Sequence, residues 1–254
     1  MRHVTRRDTQ RRHYDDLVRT RRPTRYGVSC GFAHRFDPAL LERRPTLRRA
    51  MTKLLDSVLP SSIDVMLDAG CGTAYYWSLL VSRCHVLVGL ELSPAMAAAG
   101  RRYRSISGER TGDVLCGDAS RIPLDGGSVD VVLCIDTLHH VDGLGGFLAE
   151  ARRVLRPDGV FVAVEPNVWN PVVFLAHLLP PEERGALWPN HPLALRRALR
   201  GAFGDVEVRP VTYVSGLDST LVLRLVDFVD PALRVPPLSF FALRHVFISR
   251  TGPR

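Results

Sequence analysis

The run Val65-Met66-Leu67 feeds directly into Asp68-Ala69-Gly70-Cys71-Gly72. An acidic side chain and two glycines spaced by one therefore follow an apolar stretch. A buried parallel strand ending in a tight turn has this form, because glycine lets a ligand approach the main chain. Backbone N–H groups at the start of the next helix would favour a carboxylate there. Glu91 closes the following apolar run, 21 residues after Gly70. A carboxylate at that spacing can accept from both hydroxyls of a ribose, with Leu92 lying against the adenine ring. The bland alternative for Glu91 is a surface glutamate. Further acidic and imidazole groups follow at Asp118, Asp136, His139, His140 and Glu165.

Alternating strands and helices must position these groups. Strands are expected at 63–67, 85–90, 114–116, 129–135 and 160–164, and helices at 75–83, 95–104 and 144–155. Ser93-Pro94 is a helix start, a hydroxyl cap followed by proline at the first helical position. The turn Arg156-Pro157-Asp158-Gly159 closes the helix that precedes the fifth strand. Upstream, Leu40, Leu41, Leu47, Met51, Leu54, Leu55 and Val58 give one apolar stripe, expected as a single helix over 38–58. Beyond Phe203 two more strands are expected, at 206–214 and 242–249, with a helix over 221–229 between them. The expected fold is α/β: a Rossmann-like, doubly wound, seven-stranded, mostly parallel sheet with a C-terminal antiparallel strand and helices on both faces. Ligands bind such sheets at the carboxyl ends of the strands.

These motifs, in this order, resemble class I S-adenosylmethionine-dependent methyltransferases. Asp68–Gly72 resembles the family's first motif, although Ala74 stands where a third glycine is common. Gly117-Asp118-Ala119-Ser120-Arg121-Ile122-Pro123-Leu124 resembles its third acidic motif. Gly127-Ser128-Val129-Asp130-Val131-Val132, Leu138-His139-His140-Val141 and Glu150 through Gly159 follow in the family's order. The resemblance covers residues 60–166 and implies S-adenosyl-L-methionine as cofactor. It implies cofactor contacts from Asp68, Ala69, Gly70, Cys71, Gly72, Glu91, Leu92, Asp118, Ala119 and Asp136. Asp68 would take the ammonium and Asp118 the adenine amino group. The family's acceptor enters near Asp136, His139 and His140, which makes His140, with His139, the candidate base. Alternatively the His-His pair only shapes the loop. Glu165 is a second pocket candidate, or it holds the Pro166-Asn167 turn. His177 and His191 could line the pocket or be structural.

Composition bounds the rest. The net charge of +8 is local: residues 1–50 hold 14 Arg and 5 Asp or Glu, a net +9. The remaining 204 residues hold 20 basic and 21 acidic side chains, a net −1. Residues 1–25 are thus expected to be a basic, disordered arm, or else a contact for RNA, anionic lipid or an acidic partner. The resemblance implies that residues 26–254 form a single methyltransferase domain, with N-terminal cap helices at 26–60 and a cofactor-binding core at 61–166. A substrate-covering insertion follows at 167–202, then C-terminal strands at 203–254. The apolar run 168–180 in the insertion is too short to span a bilayer. It suits a hydrophobic or amphipathic acceptor, or packs on the sheet as a core helix. Five cysteines without C-x-x-C or metal-ligand spacing fit reduced thiols, no metal and a cytoplasmic setting.

The short-chain dehydrogenase alternative needs Tyr-x-x-x-Lys after the cofactor motif, and the only lysine, Lys53, precedes it. Exocyclic-amine methylation of nucleic-acid bases uses an Asp/Asn-Pro-Pro-aromatic run, where this chain has Asp136-Thr137-Leu138-His139. The expectation is methyl transfer to a small-molecule acceptor, on oxygen first, with nitrogen or carbon as alternatives. Methylation of RNA through the basic arm, or a non-catalytic binding protein of the same fold, are the alternatives.

Overall fold

A computed structural model of the chain describes residues 6–20, 37–107, 112–178, 191–212, 220–233, 235 and 238–252. Seven strands form one sheet: β1 (Val65–Ala69), β2 (Val86–Glu91), β3 (Gly112–Cys116), β4 (Val129–Ile135), β5 (Leu155–Pro166), β6 (Glu207–Val211) and β7 (Arg244–Arg250). Their order is β3-β2-β1-β4-β5-β7-β6. The first five run parallel, and β7 lies antiparallel to both β5 and β6. Chain direction across the sheet reverses between β1 and β4, so a crevice opens at their carboxyl ends.

The helices are α1 (Arg6–Thr20), α2 (Pro38–Glu42), α3 (Pro45–Val58), α4 (Trp77–Leu80), α5 (Pro94–Ser107), α6 (Leu144–Val154), α7 (Pro171–Leu178), α8 (Pro192–Phe203) and α9 (Thr220–Leu233). On one face of the sheet, Met66, Leu87, Val131 and Val162 pack with Leu47, Met51, Leu55 and Val58 of α3. On the other, Leu67, Val132 and Phe161 pack with Phe147, Leu148 and Ala151 of α6 and Leu195 and Leu199 of α8. β4 is buried along nearly its whole length. That is why its apolar run is continuous rather than alternating.

The structure corrects three expectations. Residues 6–20 of the arm expected to be disordered form α1, packed against α5. Polar contacts help hold it there: Asp15 Oδ1 accepts from Ser93 Oγ at 2.6 Å and from the Ala95 N–H at 3.1 Å. The rest of the arm lies outside the described residues. The single helix expected over 38–58 is two, because Pro45 opens α3 and cannot continue the hydrogen-bond ladder of α2. The turn at 156–159 falls inside β5 as an irregularity, with Asp158 at φ 63°. Among the described residues no helix is long and apolar enough to cross a membrane.

Candidate functional site

The carboxyl ends of β1, β2, β3 and β4 surround one cavity of about 200 Å³. Asp68, Gly70, Cys71, Gly72, Glu91, Leu92, Asp118, Ala119, Asp136 and His140 all line it. Ala69 is fully buried and packs with Leu67 and Val132, so any part it plays is through main chain. His139 is also behind the wall.

Main-chain geometry opens the cavity at the first turn. Gly70 sits at φ 77°, and a Cβ there would lie 2.4 Å from the Thr137 methyl carbon. The β1 and β4 ends can therefore approach only without a side chain at residue 70. Gly72, at φ 55°, faces open space. Ala74, where the family pattern has glycine, also adopts a left-handed conformation at φ 63° and is fully buried.

Electrostatics favour a cationic, donor-rich ligand. Asp68 is buried, and the Trp77 Nε1–H donates to its Oδ2 at 3.0 Å. Burial pushes its pKa up to about 7, helped by the nearby Glu91 and opposed by the Trp77 bond. Glu91 is likewise raised by burial, while N–H groups of Ser93 (2.7 Å) and Gly72 (2.9 Å) hold its two oxygens in place. Asp142 adds a further carboxylate to the lining. An ammonium with ribose hydroxyls and an adenine amino group would satisfy Asp68, Glu91 and Asp118 respectively, so the residues present fit S-adenosylmethionine.

Helix α1 roofs this cavity with residues that the sequence reading missed. Arg7, Gln10, Arg11 and Tyr14 line it. Arg7 is ion-paired with Asp118, and Arg6 donates to the His139 carbonyl at 3.0 Å. Tyr14 Oη lies 2.9 Å from His140 Nε2, and Gln10 Nε2 3.3 Å from His140 Nδ1. The available signal was spacing alone: residues 7, 10, 11 and 14 share one helical face.

The two histidines have different surroundings. His139 is 5% exposed, and its Nδ1 lies 2.6 Å from Glu165 Oε2. Glu165, 1% exposed, also accepts from the Thr137 and Leu138 N–H groups at 2.9 and 2.7 Å. Glu165 therefore anchors the whole loop after β4. Asp136, at φ 54°, is ion-paired with Arg244 of β7. His177 on α7 meets the His139 ring edge-on at 5.8 Å. His191 caps α8, accepting from the Ala194 N–H, and stacks on Trp169. Among the described residues no cluster of three or more His, Cys, Asp or Glu could hold a metal ion.

Residues 67–163 match the family model described as a methyltransferase domain. A probable S-adenosylmethionine-dependent methyltransferase of Mycolicibacterium smegmatis is 35% identical over 103 residues, 40% of this chain and 38% of that protein. The malonyl-[acyl-carrier protein] O-methyltransferase of Yersinia pestis is 35% identical over 101 residues, 39% of this chain and 35% of that protein. The chain thus spans well under half the length of these relatives. Among solved structures, an S-adenosylmethionine-dependent methyltransferase from Aquifex aeolicus superposes with a TM-score of 0.58 at 17% identity, covering 85% of this chain and 99% of that one. At that identity the likeness is one of fold.

Proposed function

The chain belongs to the class I S-adenosylmethionine-dependent methyltransferases, and from that membership we propose that it transfers the methyl group to an oxygen of a hydrophobic or amphipathic small molecule. The observation that supports this reading is the cavity itself: acidic cofactor groups at one end and the imidazole of His140 beside them. S-adenosylmethionine supplies an electrophilic methyl on a sulfonium sulfur. This chain's residues then have three tasks: to hold the donor, align the acceptor in line with it, and exclude water. Asp68, Glu91 and Asp118 do the holding, and α1 excludes water from above. His140 takes the proton of an acceptor hydroxyl.

An oxygen acceptor is in keeping with relatives named as O-methyltransferases, though those act on malonyl-[acyl-carrier protein]. Apolar side chains of the cavity itself, among them Tyr75, Tyr76, Ile135 and Val141, supply a surface for a hydrophobic acceptor. RNA methylation drew its motive from the basic arm. Arg6 and Arg7 are turned toward the site instead, which weakens that motive. With buried, reduced Cys71 and Cys134, the setting we propose is cytoplasmic.

Two measurements test this. Calorimetry should detect S-adenosylhomocysteine binding that Asp68→Ala and Glu91→Ala each weaken at least tenfold; wild-type affinity in both variants would sink the cofactor assignment. Incubating the enzyme with cell extract and methyl-labelled cofactor should then yield a labelled, organic-extractable product, and label found only in RNA would redirect the acceptor.

A further inference from the structure

The base candidate of the site is held by a helix 126 residues away in sequence. Each ring nitrogen of His140 has a partner on α1. Gln10, 6% exposed, has its side-chain amide 3.3 Å from Nδ1, and with the amide nitrogen assigned to that side Nδ1 is the accepting nitrogen. The ring proton then sits on Nε2 and is donated to Tyr14 Oη at 2.9 Å. Tyr14 also meets the His140 ring edge-on, with centroids 5.6 Å apart, which fixes the plane of the imidazole as well as its tautomer. A neutral imidazole has one basic nitrogen, and which one it is depends on the hydrogen bond made by the other.

We propose that Tyr14 and Gln10 are positioning residues for His140: α1 sets the Nε2–H tautomer and leaves Nδ1 as the nitrogen that receives the acceptor's proton. This rests on the methyltransferase reading given above. The two contacts are unequal, and that inequality decides the route. The Gln10 contact is the longer, so an acceptor hydroxyl can replace it at Nδ1, while the shorter Tyr14 bond stays. In the transfer step the acceptor oxygen bonds the methyl carbon as the methyl–sulfur bond breaks, its electron pair remaining on sulfur. The hydroxyl proton passes to Nδ1. The resulting imidazolium keeps its Nε2–H bond to the Tyr14 oxygen, which stabilises the cation where it forms. On this reading α1 completes the base, and transfer requires the helix to be docked.

The test uses the full chain with ¹⁵N-labelled histidine and bound S-adenosylhomocysteine, with His140→Gln identifying the His140 ring signals. The wild type should show Nε2 protonated and Nδ1 bare above its titration. In Tyr14→Phe, which keeps the ring and loses only the oxygen, the signals should move toward the values of mixed tautomers. A wild-type Nδ1–H tautomer, or His140 signals unchanged in Tyr14→Phe, would overturn the proposal. S-adenosylhomocysteine affinity within twofold of wild type in Tyr14→Phe shows that the effect is on the base and not on folding. If the wild type binds no S-adenosylhomocysteine, the cofactor reading fails, whereas the tautomer measurement on the free protein still decides the positioning role. In label transfer from methyl-labelled cofactor to extracted small molecules, Tyr14→Phe should lower the rate at saturating cofactor about tenfold or more. It should add little in a His140→Gln background, because residues acting as one unit are not additive; fully additive losses would count against the pair.

Discussion

The guanidinium of Arg7 on α1 forms an ion pair with the carboxylate of Asp118, at the carboxyl end of β3. Asp118 is the side chain expected to accept from the adenine amino group, and in that role it would be contested between Arg7 and the cofactor. Both side chains are about a third exposed. The pair is therefore of the partly screened kind, worth up to about 1 kcal/mol. Arg7→Ala should tighten S-adenosylhomocysteine binding by about two- to fivefold, measured by calorimetry at low salt. Equal or weaker binding would mean that Arg7 holds the cofactor rather than displacing it.

Asp68 gives the protein a defined pH dependence. Its pKa in the free protein is about 7, against an ordinary value of 3.8, because burial penalises the carboxylate. A raised pKa means that the folded state binds the proton more tightly than the unfolded chain. The associated stability is full below pH 3.8 and is lost as pH rises through 7. Asp68→Asn, neutral at every pH, removes this loss. The stability difference between variant and wild type should move in the variant's favour by about 3 kcal/mol between pH 5 and pH 8. Urea melts at the two pH values measure it. A ligand ammonium reverses the preference, so wild-type affinity for S-adenosylhomocysteine should fall with pH below 7, and Asp68→Asn should abolish that slope.

How much of this was legible beforehand varies by element, for physical reasons. β1, β2 and β4 are buried on both faces, so their apolar runs could be found without any knowledge of their neighbours. The acidic groups at their ends followed from chain order. α1 was not legible in this way. The residues that α1 turns to the cavity, Arg7, Gln10, Arg11 and Tyr14, are polar, and its basic content resembled that of a solvated tail. The Asp136–Arg244 pair, 108 residues apart, had no local signal either. Polar contacts across long sequence separation build the roof of this site, and pattern reading detects burial better than it detects partners.

Gly70 can carry no side chain. Alanine there would be held at φ 77° with its Cβ 2.4 Å from the Thr137 Cγ2 and 2.5 Å from its Oγ1. Left-handed backbone costs an L-residue about 1–2 kcal/mol, and overpacking adds about 1–3 kcal/mol. Gly70→Ala should lower stability by about 2–4 kcal/mol and displace the loop that bears His139 and His140. Thermal unfolding reads the first effect, and weakened S-adenosylhomocysteine binding reads the second. A fully stable variant with normal binding would show that the two turns are not in contact.

Glu165 separates a structural role from a catalytic one. Its Oε1 takes two main-chain N–H groups and its Oε2 takes the His139 ring, all within a site closed to solvent. Glu165→Ala strands these buried donors, each at about 1–3 kcal/mol. It should cost about 3–5 kcal/mol in urea unfolding and lose S-adenosylhomocysteine binding with the loop. Glu165→Gln keeps an oxygen for the Thr137 and Leu138 N–H groups and turns an amide N–H toward His139. His139 can then accept by moving its own proton to the other nitrogen. This variant should retain most of the stability and bind cofactor normally. If Glu165 only anchors the loop, Glu165→Gln also keeps its label-transfer rate within a few-fold of wild type. A large rate loss in a stable, cofactor-binding Glu165→Gln would instead place the buried Glu165–His139 pair in the proton path, with His139 rather than His140 as its terminus.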